Sequence, residues 1–283
     1  MKEPQAKPPI VDKLKPPGEE KYLEIVTSAI HVCADFQPKL GQGKSMSLKA
    51  FQALYQADAF YSWFGLDSPL MYAAHKAAGG MTSIYRQVGI GCQYLLNQIL
   101  QDSLGLSDEE SGWYYMVKAS TGEKDKERRL TLDGRIPLGS IRDPKKKQRV
   151  KNWLREASEK IDIPKDQANA LKGAVFEIRQ GYKSKDSKRQ NADVSNATSA
   201  YLYHYMPVVL MLSNQIDSDV AERYGRSKWL ILRGVTEGTK LTSAYKFYSD
   251  VVGYDLAGFF TRNKDTLKTA VEGVLRKLLQ EAK

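Results

Sequence analysis

The chain has 283 residues, 42% of them hydrophobic and 10% aromatic, enough to bury a sizeable core as one large or two small domains. Its net charge of +10, from 43 Lys and Arg against 33 Asp and Glu, favours a polyanionic partner, nucleic acid before an anionic membrane surface. No apolar run approaches the roughly 20 residues that span a bilayer, the two cysteines, Cys33 and Cys92, suit a reduced cytoplasm better than a disulfide scaffold, and three scattered histidines make no zinc pattern. The expectation is a cytoplasmic protein without a signal peptide or membrane association.

Residues 1–18 hold five of the eleven prolines beside several lysines, the composition of a loose arm. A helical region is expected over 19–80. Its first helix, 19–36, carries Tyr22, Leu23, Val26, Ile30 and Cys33 on one face. The Gly-Gln-Gly-Lys-Ser loop at 41–45 is too short for a phosphate-binding P-loop. Ser47 caps a second helix running to about Phe64, and Ser68-Pro69 opens a third that Gly79-Gly80 is expected to end. The longest helix is expected over 82–104, with Ile84, Val88, Cys92, Leu95, Leu96, Ile99 and Leu100 along one side. Gly89 and Gly91 weaken it, which points to close helix packing or to the approach of a phosphate.

After Ser107 the hydrophobic period turns from helical to alternating. Strands are expected over 113–119 and 129–136, joined by a charged hairpin at 122–128. The second strand carries Asp133 beside a glycine. A helix over 145–160 follows, with Lys145, Lys146 and Lys147 in its first turn. Cations there oppose the helix dipole unless an anion is close, so a solvated basic face and contact with backbone phosphate stay equally open. Residues 174–180 form the central strand, with Glu177 and Arg179 at its polar end, and a run rich in Lys, Arg, Asp and Ser leads into a helix ending near 205. Apolar strands at 207–213 and 228–232 alternate with a helix over 215–224, and two helices, 243–261 and 264–281, close the chain. The whole reads as an α/β fold, a mixed sheet flanked by helices, with the sheet-bearing core over 81–283.

Asp133 on the second strand and Glu177 on the third are two carboxylates that can hold Mg²⁺, a hard ion that prefers oxygen ligands. Lys188, Arg189, Gln190 and Asn191 at a helix start carry the donor and acceptor groups that read guanine and adenine edges in a major groove. The order of helix, three strands, helix and strand resembles that of the PD-(D/E)XK nuclease core, and the resemblance implies one acid near the end of the second strand and an acid-x-lysine pair on the third. Here the residue two after Glu177 is Arg179, an arginine that can hold phosphate but does not shed a proton, so Lys183 or Lys185 stands in for the usual lysine.

The blocks G-A-V-F-E-I-R-Q-G-Y-K-S-K-D-S-K-R-Q-N-A-D at 173–193 and G-G-M-T-S-I-Y-R-Q-V-G-I-G-C-Q-Y-L-L-N-Q-I-L-Q-D-S-L-G-L at 79–106 resemble the ApaLI-like type II restriction endonucleases, over about residues 77–262. The resemblance implies Mg²⁺-dependent cleavage of double-stranded DNA at a short palindrome by a homodimer, with a cognate DNA methyltransferase in the same system. Carried onto this chain it implies catalytic or base-reading roles for Lys183, Ser184, Lys185, Asp186, Lys188, Arg189, Gln190 and Asn191. A non-catalytic DNA-binding protein and a structure-specific repair nuclease are the rival readings.

Overall fold

A computed structural model describes residues 18–39, 43–118, 127–181 and 187–279, with the backbone alone at 117–118, 127–130, 187–192 and 194. Residues 1–17 of the expected arm (1–18) and 122–126 of the expected hairpin loop (122–128) lie outside the described residues. The fold is a mixed α/β arrangement. Its main sheet has four strands in the order β3 (Gly134–Pro137), β4 (Gly173–Arg179), β5 (Tyr205–Met211) and β6 (Leu230–Leu232). β3 runs antiparallel to β4, while β4, β5 and β6 are parallel. A second, two-stranded antiparallel sheet pairs β1 (Trp113–Lys118) with β2 (Glu127–Leu132).

β4 and β5 are buried almost along their whole length, as parallel strands covered on both faces must be. On one face Ala174, Phe176, Ile178, Met206, Val208 and Leu210 join a core completed by α1 (Glu19–His31), α4 (Pro69–Leu104), α6 (Pro144–Lys160) and the C-terminal helices. On the other, Val175, Val209 and Met211 meet α8 (Ser187–Leu202), α9 (Ser218–Arg226) and Trp113 of β1. α8 packs there through Asp193, Asn196, Ala197 and Ala200, a single helical stripe in which two members are polar.

The helix expected to stop at Gly79-Gly80 does not stop. α4 runs unbroken for 36 residues, about 54 Å at 1.5 Å per residue. Each helix-interior glycine costs roughly 1 kcal/mol relative to alanine, and packing offsets it at three of the four. A Cβ on Gly79 would lie 2.5 Å from the Phe36 ring, one on Gly80 2.5 Å from Leu278, and one on Gly91 2.9 Å from Ala29 Cβ and 3.3 Å from the Val26 backbone. Those glycines let α1, the 3₁₀ turn after it and the last helix, α12 (Lys264–Leu279), sit close against α4.

Two further expectations are corrected. The strand expected over 129–136 is two strands broken at Asp133, because the chain there leaves β1 and begins to pair with β4: Leu132 still faces Trp113, while Gly134 faces Phe176. The helix expected over 243–261 is α10 (Ala244–Phe247), a π turn (Tyr248–Val252) and α11 (Leu256–Arg262). Gly253, at φ +94°, ends the π turn, and Arg149 donates to the carbonyls of Val251 and Val252 at 2.6 and 3.0 Å. A left-handed residue and a guanidinium thus terminate what periodicity alone continues.

Buried Glu19 at the start of α1 accepts from Arg262 at the end of α11, with Nη2 2.7 Å and Nε 3.0 Å from the same oxygen. This pair fastens the N-terminal helix to the last part of the chain. Among the described residues no helix is long and apolar enough to cross a membrane, and Cys33 and Cys92 are buried free thiols.

Candidate active site

The switch of sheets at Asp133 creates the site. Its backbone N–H donates to Phe176 O at 2.8 Å, so Asp133 lies where the Gly134–Phe176 end of the β3–β4 ladder stops, beside the Glu177–Ile178 stretch of β4. The Asp133 carboxylate also receives the Ile178 N–H at 2.7 Å through Oδ2. Its other oxygen accepts from the Gln93 amide of α4, and the neighbouring Asn97 amide donates to the Asp133 carbonyl. Gly134 is needed at this point, since a Cβ there would lie 2.5 Å from Asn97 Oδ1.

Glu177 and Arg179 share one face of β4, as alternate strand residues do. Arg179 Nη2 lies 2.6 Å from Glu177 Oε1 and 3.2 Å from Asp193 Oδ1 of α8. Asp193 Oδ2 in turn accepts from the Tyr224 hydroxyl of α9 at 2.7 Å. The site is therefore three carboxylates around one guanidinium, sealed from the α9 side by a tyrosine.

Burial and the nearby Asp133 carboxylate push Glu177 up to about 8, against the opposing pull of Arg179, with Asp193 raising it further. The short ion pair and the raised value point in opposite directions. Burial decides between them, because a single guanidinium divided between two carboxylates does not repay the loss of water around both. Asp133 is also raised, first by burial, although the Ile178 N–H and Arg179 favour its ionised form. Arg179 is held above its ordinary value: burial works against the charge, but Glu177 and Asp193 outweigh it.

The expected residues divide into three groups. Asp133, Glu177 and Arg179 are brought together. Lys183, Ser184, Lys185 and Asp186 lie outside the described residues, and Lys188, Arg189, Gln190 and Asn191 fall in the first turn of α8, as expected, with their side chains undescribed. Lys145, Lys146 and Lys147 open α6, whose connection leaves β3 at Pro137, opposite the first residue of β4 and four residues from Glu177. The anion that this basic turn calls for is Asp143, which caps the helix by accepting from the Lys145 and Lys146 N–H groups at 2.8 and 3.1 Å. Those backbone hydrogen bonds hold Asp143 below the usual carboxylate range.

Gln93 and Asn97 were not anticipated as site residues, although two amides at i, i+4 inside an apolar helix are a visible signal. Asp193 closes the 173–193 block and would be the alternative second acid if Lys183 took the place of the usual lysine, and Tyr224 carries no sequence signal.

Among the described residues no three His, Cys, Asp or Glu side chains converge as a metal cage. Mg²⁺ does not require one: it keeps several waters and takes one or two carboxylates together with substrate phosphate. Asp133 and Glu177 are oxygen donors near each other, the first bonded to the N–H of the residue after the second, with Glu177 driven toward protonation by burial and by Asp133, and a divalent cation would relieve that opposition. The donor set fits a hard cation. No family model, curated protein or solved structure matches the chain.

Proposed function

We propose that this protein is a Mg²⁺-dependent endonuclease of the PD-(D/E)XK type, cutting double-stranded DNA as an ApaLI-like type II restriction enzyme and acting as a homodimer beside a cognate methyltransferase. The observation that carries the reading is the Asp133 carboxylate held on the N–H of Ile178, the residue after Glu177, where β3 joins β4, with Arg179 paired to Glu177. A basic chain with buried, opposed carboxylates at a strand end is suited to a substrate that is itself an anion.

In this reading Asp133 and Glu177 hold the ion. Bound there, Mg²⁺ lowers the pKa of its water and stabilises charge on the scissile phosphate. Gln93 and the Ile178 N–H fix the Asp133 carboxylate so that it does not turn toward Arg179. Arg179, engaged by Glu177 and Asp193, balances the carboxylates of the site, and Lys183 or Lys185 would supply the cation that orients the attacking water and offsets charge on the phosphate. Lys188 to Asn191 would meet base edges and Lys145 to Lys147 the phosphate backbone.

Supercoiled plasmid incubated with the protein and Mg²⁺ is expected to give discrete fragments, abolished by EDTA and by Glu177→Gln. A protein that binds the plasmid without cutting it under any divalent cation would be a DNA-binding module instead. Preferential cutting of branched or mismatched duplexes would identify a repair nuclease.

A further inference from the structure

Gly79, Gly80 and Gly91 of α4 each have a packing reason, and Gly89 has none. A Cβ there would find only Gln180 Cβ, at 3.9 Å, an ordinary contact in otherwise open space. Alanine would fit without displacing anything and would strengthen the helix. Packing therefore does not account for this glycine.

Its position does suggest a use. Gln180 directly follows Arg179, and its carbonyl accepts from Ser213 at 2.7 Å, so Gly89 lies beside the end of β4 on the α4 side of the sheet, whereas the Glu177 and Arg179 side chains face α8 and α9 on the other. Four residues on, and on the same side of the helix, Gln93 holds the Asp133 carboxylate. Three residues before it is Arg86, which is exposed. Arg86 and Gln93 are seven residues apart, so they project within about 20° of each other, separated by about 10 Å along the axis. That distance is about three base steps of rise along the axis of a duplex. Arg86, bare backbone at Gly89 and then Gln93 thus form a strip that begins in solvent and ends at the Asp133 carboxylate.

We propose that this face of α4 is a binding track for the DNA backbone, with Arg86 holding a phosphate a few nucleotides from the one to be cut and Gly89 leaving room for the sugar-phosphate chain to lie against the helix. The proposal rests on the nuclease reading and adds to it a substrate-contacting surface outside the 173–193 segment. It is built on the contrast among four glycines of one helix and on the strip's continuity with Asp133.

The test uses the full chain, a fluorescein-labelled mixed-sequence DNA duplex, and Ca²⁺ in place of Mg²⁺ so that binding is read without turnover. Gly89→Ala is expected to raise the Tm. Gly89→Leu is expected to keep the wild-type circular dichroism spectrum and to weaken duplex binding by about tenfold or more, and Arg86→Ala to weaken it and to reduce the salt slope by about one. In Mg²⁺ the loss should fall on KM more than on kcat. A folded Gly89→Leu protein that binds and cuts as the wild type does would overturn the track, as would a lowered Tm in Gly89→Ala, which would show a packing role. Wild-type protein that does not bind the duplex would instead remove the nuclease reading, and the track with it.

Discussion

Replacing Glu177 by glutamine tests the electrostatics of the site directly. In the folded protein Glu177 is pushed up to about 8, from an ordinary 4.5, by burial and by Asp133. Between those two values the folded state holds a proton that the unfolded chain has released. The folded state then binds more protons than the unfolded one, so stability falls as pH rises, by about 1.4 kcal/mol per pH unit for one full proton. The contribution is complete below the unfolded value and gone once the pH passes the folded one. Over pH 5 to 8 the wild-type protein is expected to lose several kcal/mol from this group, an upper figure because some water and Arg179 rearrangement relieves a buried charge.

Glutamine has almost the same shape and does not titrate, so Glu177→Gln is expected to remove that slope and to leave the variant more stable than wild type at pH 8. Urea unfolding at pH 5, 6, 7 and 8, followed by far-ultraviolet circular dichroism, reads the difference. Added Mg²⁺ should recover wild-type stability at pH 8, by about 2.7 kcal/mol when the ion is present at 100 times its Kd, and should not help the variant. Parallel stability–pH curves for the two proteins, with or without the ion, would refute the argument that Glu177 is a proton-loaded carboxylate awaiting a cation.

Two further substitutions probe the frame that holds the site. Gly91→Ala should destabilise by about 1 to 3 kcal/mol despite alanine's better helix propensity, because its Cβ would lie 2.9 Å from Ala29 and 3.3 Å from the Val26 backbone; chemical denaturation measures it, and a gain in stability would show that α1 yields easily. Arg262→Ala leaves the fully buried Glu19 carboxylate without its guanidinium and should cost about 3 to 5 kcal/mol at pH 7, with much of the loss recovered in the double variant Arg262→Ala/Glu19→Gln, as a double-mutant cycle would show.

The order of elements was legible in the sequence because it depends on hydrophobic period, which the chain keeps cleanly: strands β4 and β5 and helices α6 and α8 fall within a few residues of expectation. What was not legible depends on partners distant in sequence. Gly79 and Gly80 look like a helix stop until Phe36 and Leu278 fill the space that their missing side chains leave. The strand through Asp133 looks continuous because alternation persists across it, yet its two halves belong to different sheets. Local pattern reports which side of an element is apolar and is silent about what arrives there.

The same limit governs the site, and Arg179 shows how. From sequence it is the cation two residues after the acid, and its chemistry suggests a phosphate clamp. In the fold its guanidinium lies 2.6 Å from Glu177 and 3.2 Å from Asp193, the second held by Tyr224. Neither Asp193 nor Tyr224 is close to Arg179 along the chain, and each comes from a helix on the far face of the sheet from α4. A guanidinium shared between two carboxylates balances charge at the site, so neutralising a bound phosphate calls for further cations. In the proposed function those would be Lys183 or Lys185 and, in the inference above, Arg86. In the proposed reading the positive charge would divide between Arg179, held among carboxylates inside the protein, and cations that meet the phosphate, and Arg179→Ala should separate the two roles. It should disturb Glu177 and stability first, whereas Arg86→Ala should disturb DNA binding and its salt dependence.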